Sequence, residues 1–168
     1  MRNRPNALHT FRIDESNHLT ELDLEELQVT VKYLRDQRIT GTVAEIAKLK
    51  FPFPNETNPD YETFTNNPKQ TISVGQFNGA EVFPDIVVVR RPGQWLMMMA
   101  EVESEESLTD ETATGRWLPA SKCGELLVYV PMGSAWEAKK LAKKHGLKLL
   151  GIRTWRFRPV WGLEVTEA

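Results

Sequence analysis

The order of predicted strands and helices after residue 70 is the feature that most constrains the fold. Apolar runs with alternating or β-branched residues predict the strands, while capping residues and helical periodicity predict the helices. The predicted elements are strands over 71–77, 86–89 and 95–102, a helix over 107–120, a strand over 125–130, a helix over 134–146 and a strand over 147–157. This order predicts an α/β fold with a mixed β-sheet, in which the first three strands form an antiparallel meander followed by helix-strand-helix-strand.

The first 69 residues have a different character. Residues 1–19 are polar and predict a loose arm, after which a helix begins at the N-cap Thr20 and ends at Gly41. Thr42 and Glu45 form a capping box that predicts a short second helix. Residues 51–69 hold four of the ten prolines, a density that argues against helix and strand. We therefore expect a helical arm with a Pro- and Asn-rich loop over 1–69 and an α/β core over 70–168, within one compact domain.

Composition excludes several classes of protein. The 21 Lys and Arg residues nearly balance the 23 Asp and Glu residues, and 40% of the chain is hydrophobic, which argues against a polybasic tail and against global disorder. Cys123 is the single cysteine, so an intramolecular disulfide is excluded. The sequence has no signal-peptide pattern and no apolar run long enough to span a bilayer. These features predict a soluble cytoplasmic protein with no membrane partner.

Three acidic residues lie at the ends of two predicted strands. Asp85 opens the second strand, and Glu101 and Glu103 lie at the end of the third, two positions apart and therefore on one face. The turn at Pro92-Gly93 brings the two strands together, so the three carboxylates can converge on a hard cation such as Mg²⁺. Alternatively, residues 101–111 form an acidic, solvated surface, because they hold six acids and no Lys or Arg.

This pattern resembles the PD-(D/E)XK nuclease superfamily. Pro84-Asp85 is followed sixteen positions later by Glu101-Val102-Glu103, and the element order over residues 70–158 is similar to that of the superfamily's core. The resemblance implies a restriction-endonuclease-like fold and a Mg²⁺- or Mn²⁺-dependent endonuclease that hydrolyses phosphodiester bonds in nucleic acid, for which we expect DNA. It also implies that Asp85 and Glu101 bind the metal and that Asp85, Glu101 and Glu103 are catalytic. Many members are dimers, so residues 1–69 are a candidate homodimer interface.

Glu103 departs from the superfamily's pattern, which has a lysine at this position. The departure resembles an E-x-E variant found in some restriction endonucleases, in which the second glutamate acts as a general base or an additional metal contact. Lys122 or Arg116 would then replace the lysine as the cation of the site. The alternative is a catalytically inactive nuclease-like domain that serves as a nucleic-acid-binding or protein-assembly module.

Two further sets of residues bear on this hypothesis. Many members of the superfamily have an upstream acid, for which the candidates are Glu45, Glu62 and Glu81. Residues 138–158 hold eight basic residues and no acid, which indicates either a phosphate-contacting surface or an ordinary exposed helix face. The predicted nucleic-acid-binding residues are Lys139, Lys140, Lys143, Lys144 and Arg153.

Overall fold

The computed structural model describes residues 21–168, apart from the side chains of residues 21–24 and 30–32. The predicted loose arm over 1–19 and the predicted N-cap Thr20 lie outside the described residues. The chain divides between Arg38 and Ile39 into two units, of which the second contains all strands of the described residues and the candidate site. Dimerisation through residues 1–69 stays a prediction.

The elements are defined here in chain order. The helices are α1 (Glu21–Lys50), α2 (Asp110–Thr112), α3 (Leu118–Cys123) and α4 (Ala135–Lys144), and a π-helical turn over Ala113–Trp117 joins α2 to α3. The strands are β1 (Tyr61–Thr65), β2 (Gly75–Phe77), β3 (Ala80–Val82), β4 (Ile86–Arg90), β5 (Trp95–Val102), β6 (Leu126–Pro131), β7 (Gly151–Arg158) and β8 (Gly162–Glu167).

Six of these strands form one mixed sheet in the order β1-β4-β5-β6-β7-β8. The neighbours β1, β4 and β5 are antiparallel, β5, β6 and β7 are parallel, and β8 is antiparallel to β7. Parallel neighbours need long crossover connections. The helices over 110–123 and α4 supply these connections, so the predicted α/β class with a mixed sheet is confirmed.

The prediction of the first meander strand is wrong. In the main sheet, β1 precedes β4, whereas the predicted strand over 71–77 contributes only β2, which pairs with β3 in a separate hairpin. The two-residue turn of that hairpin is the predicted Asn78-Gly79, and both residues have positive φ, at 50° and 79°. The strand β1 escapes prediction because its five residues fit between Pro59 and Pro68, so the prolines flank the strand and do not interrupt it.

The predicted end of the first helix at Gly41 is also wrong. Helix α1 continues through Gly41 to Lys50, so Thr42 and Glu45 lie inside one helix and do not cap a second one. Glycine in a helix costs about 1 kcal/mol relative to alanine. Val43 and Ile46 are fully buried against the sheet, and burying each side chain stabilises by about 1.5–3 kcal/mol, which exceeds that cost.

The sheet has an apolar core on each face, and this arrangement positions the candidate site. One core holds the end of α1 with Ala100 and Val102 of β5, while the other holds Met99 together with the helices over 110–123 and α4. Because side chains alternate along a strand, Glu101 lies on the same face as Met99 and points towards the 110–123 helices. Within residues 21–168, no helix combines the length and apolarity that crossing a membrane requires.

Candidate functional site

Asp85 and Glu101 lie side by side at the ends of two neighbouring strands. Ile86 pairs with Ala100 in the β4–β5 register, so the next residue outward on each strand brings Asp85 next to Glu101. Their exposed fractions are only 3% and 2%. The Asp85 Oδ2 atom accepts a hydrogen bond of 2.8 Å from the backbone N–H of Val102, which fixes the carboxylate against β5. The structure therefore brings together the two predicted metal ligands.

Arg116 lies in contact with both carboxylates. Its Nη2 atom is 2.9 Å from Asp85 Oδ1 and also donates to Glu101 Oε2. Arg116 is on the π-helical turn, and its side chain is 43% exposed, so the guanidinium bridges the buried carboxylates and solvent. Of the two predicted substitutes for the lysine, Arg116 thus reaches the acids, whereas Lys122 lies exposed on α3.

The electrostatics of this group are dominated by burial. Burial raises the pKa of Glu101 well above its ordinary value, and the neighbouring Asp85 carboxylate raises it further, while Arg116 opposes both effects. Burial disfavours the charged form of Arg116, but the surrounding acids Glu101, Asp85 and Glu103 outweigh this effect and raise its pKa above the ordinary value. Arg116 therefore stays charged and compensates only part of the negative charge around it.

Glu103 has a different environment from Glu101. Its Oε1 atom accepts a hydrogen bond of 2.9 Å from the indole N–H of Trp117, and its Oε2 atom accepts one from the hydroxyl of Ser107. The helix predicted over 107–120 begins after Thr109, which is its N-cap, and the Ser107 hydroxyl donates to Glu103. Burial raises the pKa of Glu103, although Arg116 and the two hydrogen bonds oppose the shift. Both carboxylate oxygens are thus occupied by donors of the protein.

A cleft of about 900 Å³ opens onto the paired carboxylates. Its lining combines Asp85, Glu101 and Arg116 with the loop over 66–70, residues of the β2–β3 hairpin and the turn into β4, and part of the 110–123 helices. The lining residues are Asn66, Asn67, Pro68, Lys69, Gln70, Phe77, Ala80, Glu81, Val82, Phe83, Asp85, Glu101, Gly115, Arg116 and Pro119. Glu103 is not part of this lining, so the cleft contains two of the three predicted catalytic acids.

The three candidates for an upstream acid have different positions. Glu81, on β3, lines the cleft. Glu62, on β1, forms an ion pair of 2.9 Å with Arg91, and Glu45 is exposed on α1. Glu81 is therefore the candidate that shares the cleft with Asp85.

Asn66 is a site residue that no sequence pattern indicates. Its side-chain N–H groups donate to the carbonyls of Ile72 at 2.9 Å and Pro84 at 2.7 Å, while its Oδ1 atom accepts from the N–H groups of Thr71 at 2.7 Å and Ile72 at 2.9 Å. Its backbone N–H donates to the carbonyl of Asp85 at 2.9 Å. Asn66 thus fixes the loop that forms one wall of the cleft and the segment that carries Asp85.

The predicted nucleic-acid-binding residues lie outside the lining of the cleft. Arg153 forms an ion pair of 3.1 Å with Glu167 of β8, a strand that the sequence patterns did not indicate. Lys140 lies over the ring of Trp136, and Lys144 pairs with Asp110 at 2.8 Å. Four of the five residues are exposed on α4, and these are Lys139, Lys140, Lys143 and Lys144.

The donor set of the cleft fits one kind of metal site. Within the residues described, no group of three or more His, Cys, Asp or Glu side chains is arranged to hold a metal ion. Asp85 and Glu101 offer two carboxylates, three of whose four oxygens also accept from the Val102 N–H or from Arg116. Mg²⁺ is commonly bound by one or two carboxylates together with water and substrate phosphates. The pair therefore fits Mg²⁺ or Mn²⁺ bound in that open manner and does not fit an all-protein cage that includes Glu103.

Comparison of the chain with protein-family models, with curated proteins and with solved structures gives no match. The geometry of the cleft and the motif that its acids form are therefore the features that indicate a function.

Proposed function

We propose that the cleft at Asp85 and Glu101 is the active site of a metal-dependent endonuclease with a restriction-endonuclease-like core. The observation that carries the proposal is the pair of buried carboxylates at the ends of β4 and β5, which line one cleft with Arg116. Burying two adjacent carboxylates is costly, and Arg116 supplies a single compensating charge. A divalent cation at this position would compensate the negative charge that Arg116 leaves.

Each residue of the cleft has a distinct role in this proposal. Asp85 and Glu101 hold the metal ion, which when bound polarises a phosphoryl oxygen and lowers the pKa of a water molecule. The Val102 N–H keeps the Asp85 carboxylate oriented towards this position. Arg116 provides the cation that the superfamily's lysine supplies, and its planar guanidinium suits a phosphate better than an ammonium does.

The charges of the cleft lining make substrate binding dependent on the metal. With every group ionised, the three acids Glu81, Asp85 and Glu101 and the two bases Lys69 and Arg116 give a net charge of −1. A divalent cation reverses this sign to +1, which attracts a phosphodiester. DNA is the proposed substrate, and the exposed lysines of α4 are proposed to contact phosphates beyond the cleft.

Metal titration with a matched set of variants tests this function. Mg²⁺ or Mn²⁺ should raise the melting temperature of the wild-type protein. At a metal concentration of 100 times Kd, the free energy of unfolding should increase by about 2.7 kcal/mol. Asp85→Asn and Glu101→Gln should lose this response, whereas Glu105→Gln, at an exposed neighbouring acid, should retain it. Supercoiled and linear DNA incubated with metal should be cleaved by the wild-type protein and not by Asp85→Asn. The absence of any metal response in the wild type would contradict the proposal.

A second candidate function is a nuclease-like module that binds nucleic acid or a protein partner without cleavage. It is favoured by the contacts of Arg116 with both Asp85 and Glu101, because a built-in guanidinium can compensate the carboxylates without a metal ion. Fluorescence anisotropy with labelled DNA separates the two functions. DNA binding that persists in Asp85→Asn, together with no cleavage by the wild type at any metal concentration, would favour the second candidate.

A further inference from the structure

Glu103 occupies the position at which the superfamily has its lysine, yet its surroundings are those of an anchor. The side chain is only 1% exposed. Its two oxygens accept hydrogen bonds from Trp117 and Ser107, and its backbone N–H donates to the carbonyl of Tyr129 at 2.8 Å. A general base must lie within about 2.6–3.2 Å of the proton that it removes, directly or through one water. A carboxylate enclosed by these donors and outside the cleft lining is better placed to hold Trp117 and Ser107 than to accept a proton in the cleft.

The residue that Glu103 binds is the immediate neighbour of Arg116. Trp117 is fully buried, and it ends the π-helical turn that carries Arg116. Single π-helical turns are frequent at functional sites, where they change the direction in which side chains point. The hydrogen bond from the indole of Trp117 to Glu103 and the packing of its ring in the core both oppose rotation of this turn. They therefore also restrain the backbone from which Arg116 extends.

We propose that Glu103 is a positioning residue that anchors Trp117 and Ser107 and thereby holds Arg116 against Asp85 and Glu101. The effect on cleavage rests on the proposed nuclease function, whereas the effect on the position of Arg116 does not. In this assignment, the glutamate at the lysine position does not replace the lysine chemically. It positions the arginine that does.

Two substitutions at Glu103 separate positioning from catalysis. Glu103→Gln keeps the anchor, because the amide oxygen accepts from Trp117 and the amide N–H can donate to the Ser107 hydroxyl. It removes the negative charge of the carboxylate and with it the ability to act as a general base. Glu103→Leu keeps the volume and removes both acceptors. We expect Glu103→Gln to cleave DNA within about threefold of the wild-type rate. Glu103→Leu should lose about 10²-fold, as expected for a misplaced active-site group.

A double-mutant cycle tests the route through Arg116. If Glu103 acts by placing Arg116, then Glu103→Leu causes no further loss of cleavage in a protein that already carries Arg116→Gln. Glu105→Gln is the matched control, because Glu105 is an exposed acid two residues along the chain. Independent losses that multiply in the double variant would overturn the proposal.

Nuclear magnetic resonance gives a readout that needs neither activity nor a metal ion. In ¹⁵N-labelled protein, the indole N–H of Trp117 and the side-chain N–H of Arg116 should keep their protection from solvent exchange in Glu103→Gln and lose this protection in Glu103→Leu. If Glu103→Leu does not fold, Trp117→Phe takes its place, because it removes the indole donor and keeps an aromatic ring.

The outcomes for the two proposals are distinguishable. A wild-type protein that neither binds metal nor cleaves DNA refutes the nuclease function, while the resonances of Arg116 still decide the positioning role. Glu103→Gln that is as inactive as Asp85→Asn, in a folded protein, would make Glu103 a catalytic residue and overturn the inference. Arg116 resonances that are unchanged in Glu103→Leu, or in Trp117→Phe where that variant is used, would also overturn it.

Discussion

Replacing Arg116 with glutamine should destabilise the protein in a pH-dependent manner. The substitution removes the guanidinium that contacts Asp85 and Glu101 and leaves two buried carboxylates next to each other. Breaking a fully buried ion pair costs about 3–5 kcal/mol. Because the Arg116 side chain is 43% exposed, water compensates part of this loss, and we expect about 2 kcal/mol at a pH where both carboxylates are ionised.

The sign of the pH dependence follows from the raised pKa of Glu101. Burial raises this pKa in the folded protein, and removal of Arg116, which opposes the shift, raises it further. A carboxyl with a raised folded-state pKa binds more protons in the folded than in the unfolded state, so stability falls as the pH rises through that pKa. The loss in Arg116→Gln should therefore be small at acid pH, where Glu101 is protonated in both proteins, and larger at alkaline pH, where it is ionised.

Thermal denaturation followed by circular dichroism measures this effect. For a domain of this size, a loss of about 2 kcal/mol lowers the Tm by about 4–8 °C. Arg91→Gln is the matched control, because it breaks the partly exposed pair with Glu62 and should cost at most about 1 kcal/mol. Saturating Mg²⁺ should restore most of the loss in Arg116→Gln, since a bound cation replaces the missing charge. An unchanged Tm in Arg116→Gln, or a decrease in Tm of equal size at acid and at alkaline pH, would refute the reasoning.

Three further predictions concern other parts of the molecule. Asn66→Ala should cost about 2–4 kcal/mol in urea denaturation, because it leaves several buried backbone groups without their partner. Asp110→Asn should lower the Tm at neutral pH. Hydrogen bonds, first of all from Lys144, lower the pKa of Asp110, so its contribution is present above the unfolded-state pKa, and the difference from wild type should vanish in strong acid. DNA affinity should fall as the salt concentration rises. Replacing Lys139 or Lys143 with glutamine should make the slope of log affinity against log salt concentration less steep, by about one unit for each phosphate that the variant no longer neutralises.

The elements that could be predicted from the sequence are those that local physics determines. The Asn78-Gly79 hairpin follows from the positive φ that both turn residues must adopt, and β4 and β5 follow from runs of β-branched and apolar residues. The end of α1 could not be predicted, because Gly41 stops a helix only where no packing outweighs its cost. Val43 and Ile46 provide that packing against a sheet that forms from residues later in the chain.

The candidate site was predictable to the extent that strand register determines it. The meeting of Asp85 and Glu101 follows from two antiparallel strands joined by a short turn. The choice between Arg116 and Lys122 could not be made, because it depends on a π-helical turn that has no clear sequence signal. Asn66 could not be singled out within its Pro- and Asn-rich segment, since local sequence does not separate an asparagine that satisfies buried backbone groups from one that caps an exposed turn.

Glu101 and Glu103 illustrate why the spacing of a motif does not assign chemistry to its residues. Strand alternation places both side chains on the same face, and both meet the turn over 113–117. One meets the partly exposed guanidinium of Arg116 beside a cleft, whereas the other meets the buried indole of Trp117. Consecutive residues of one helical turn thus give the two glutamates different environments. In the proposed nuclease, a glutamate at position 103 is therefore compatible with an active site, because Arg116 on the neighbouring helical turn is in the position to supply the cation.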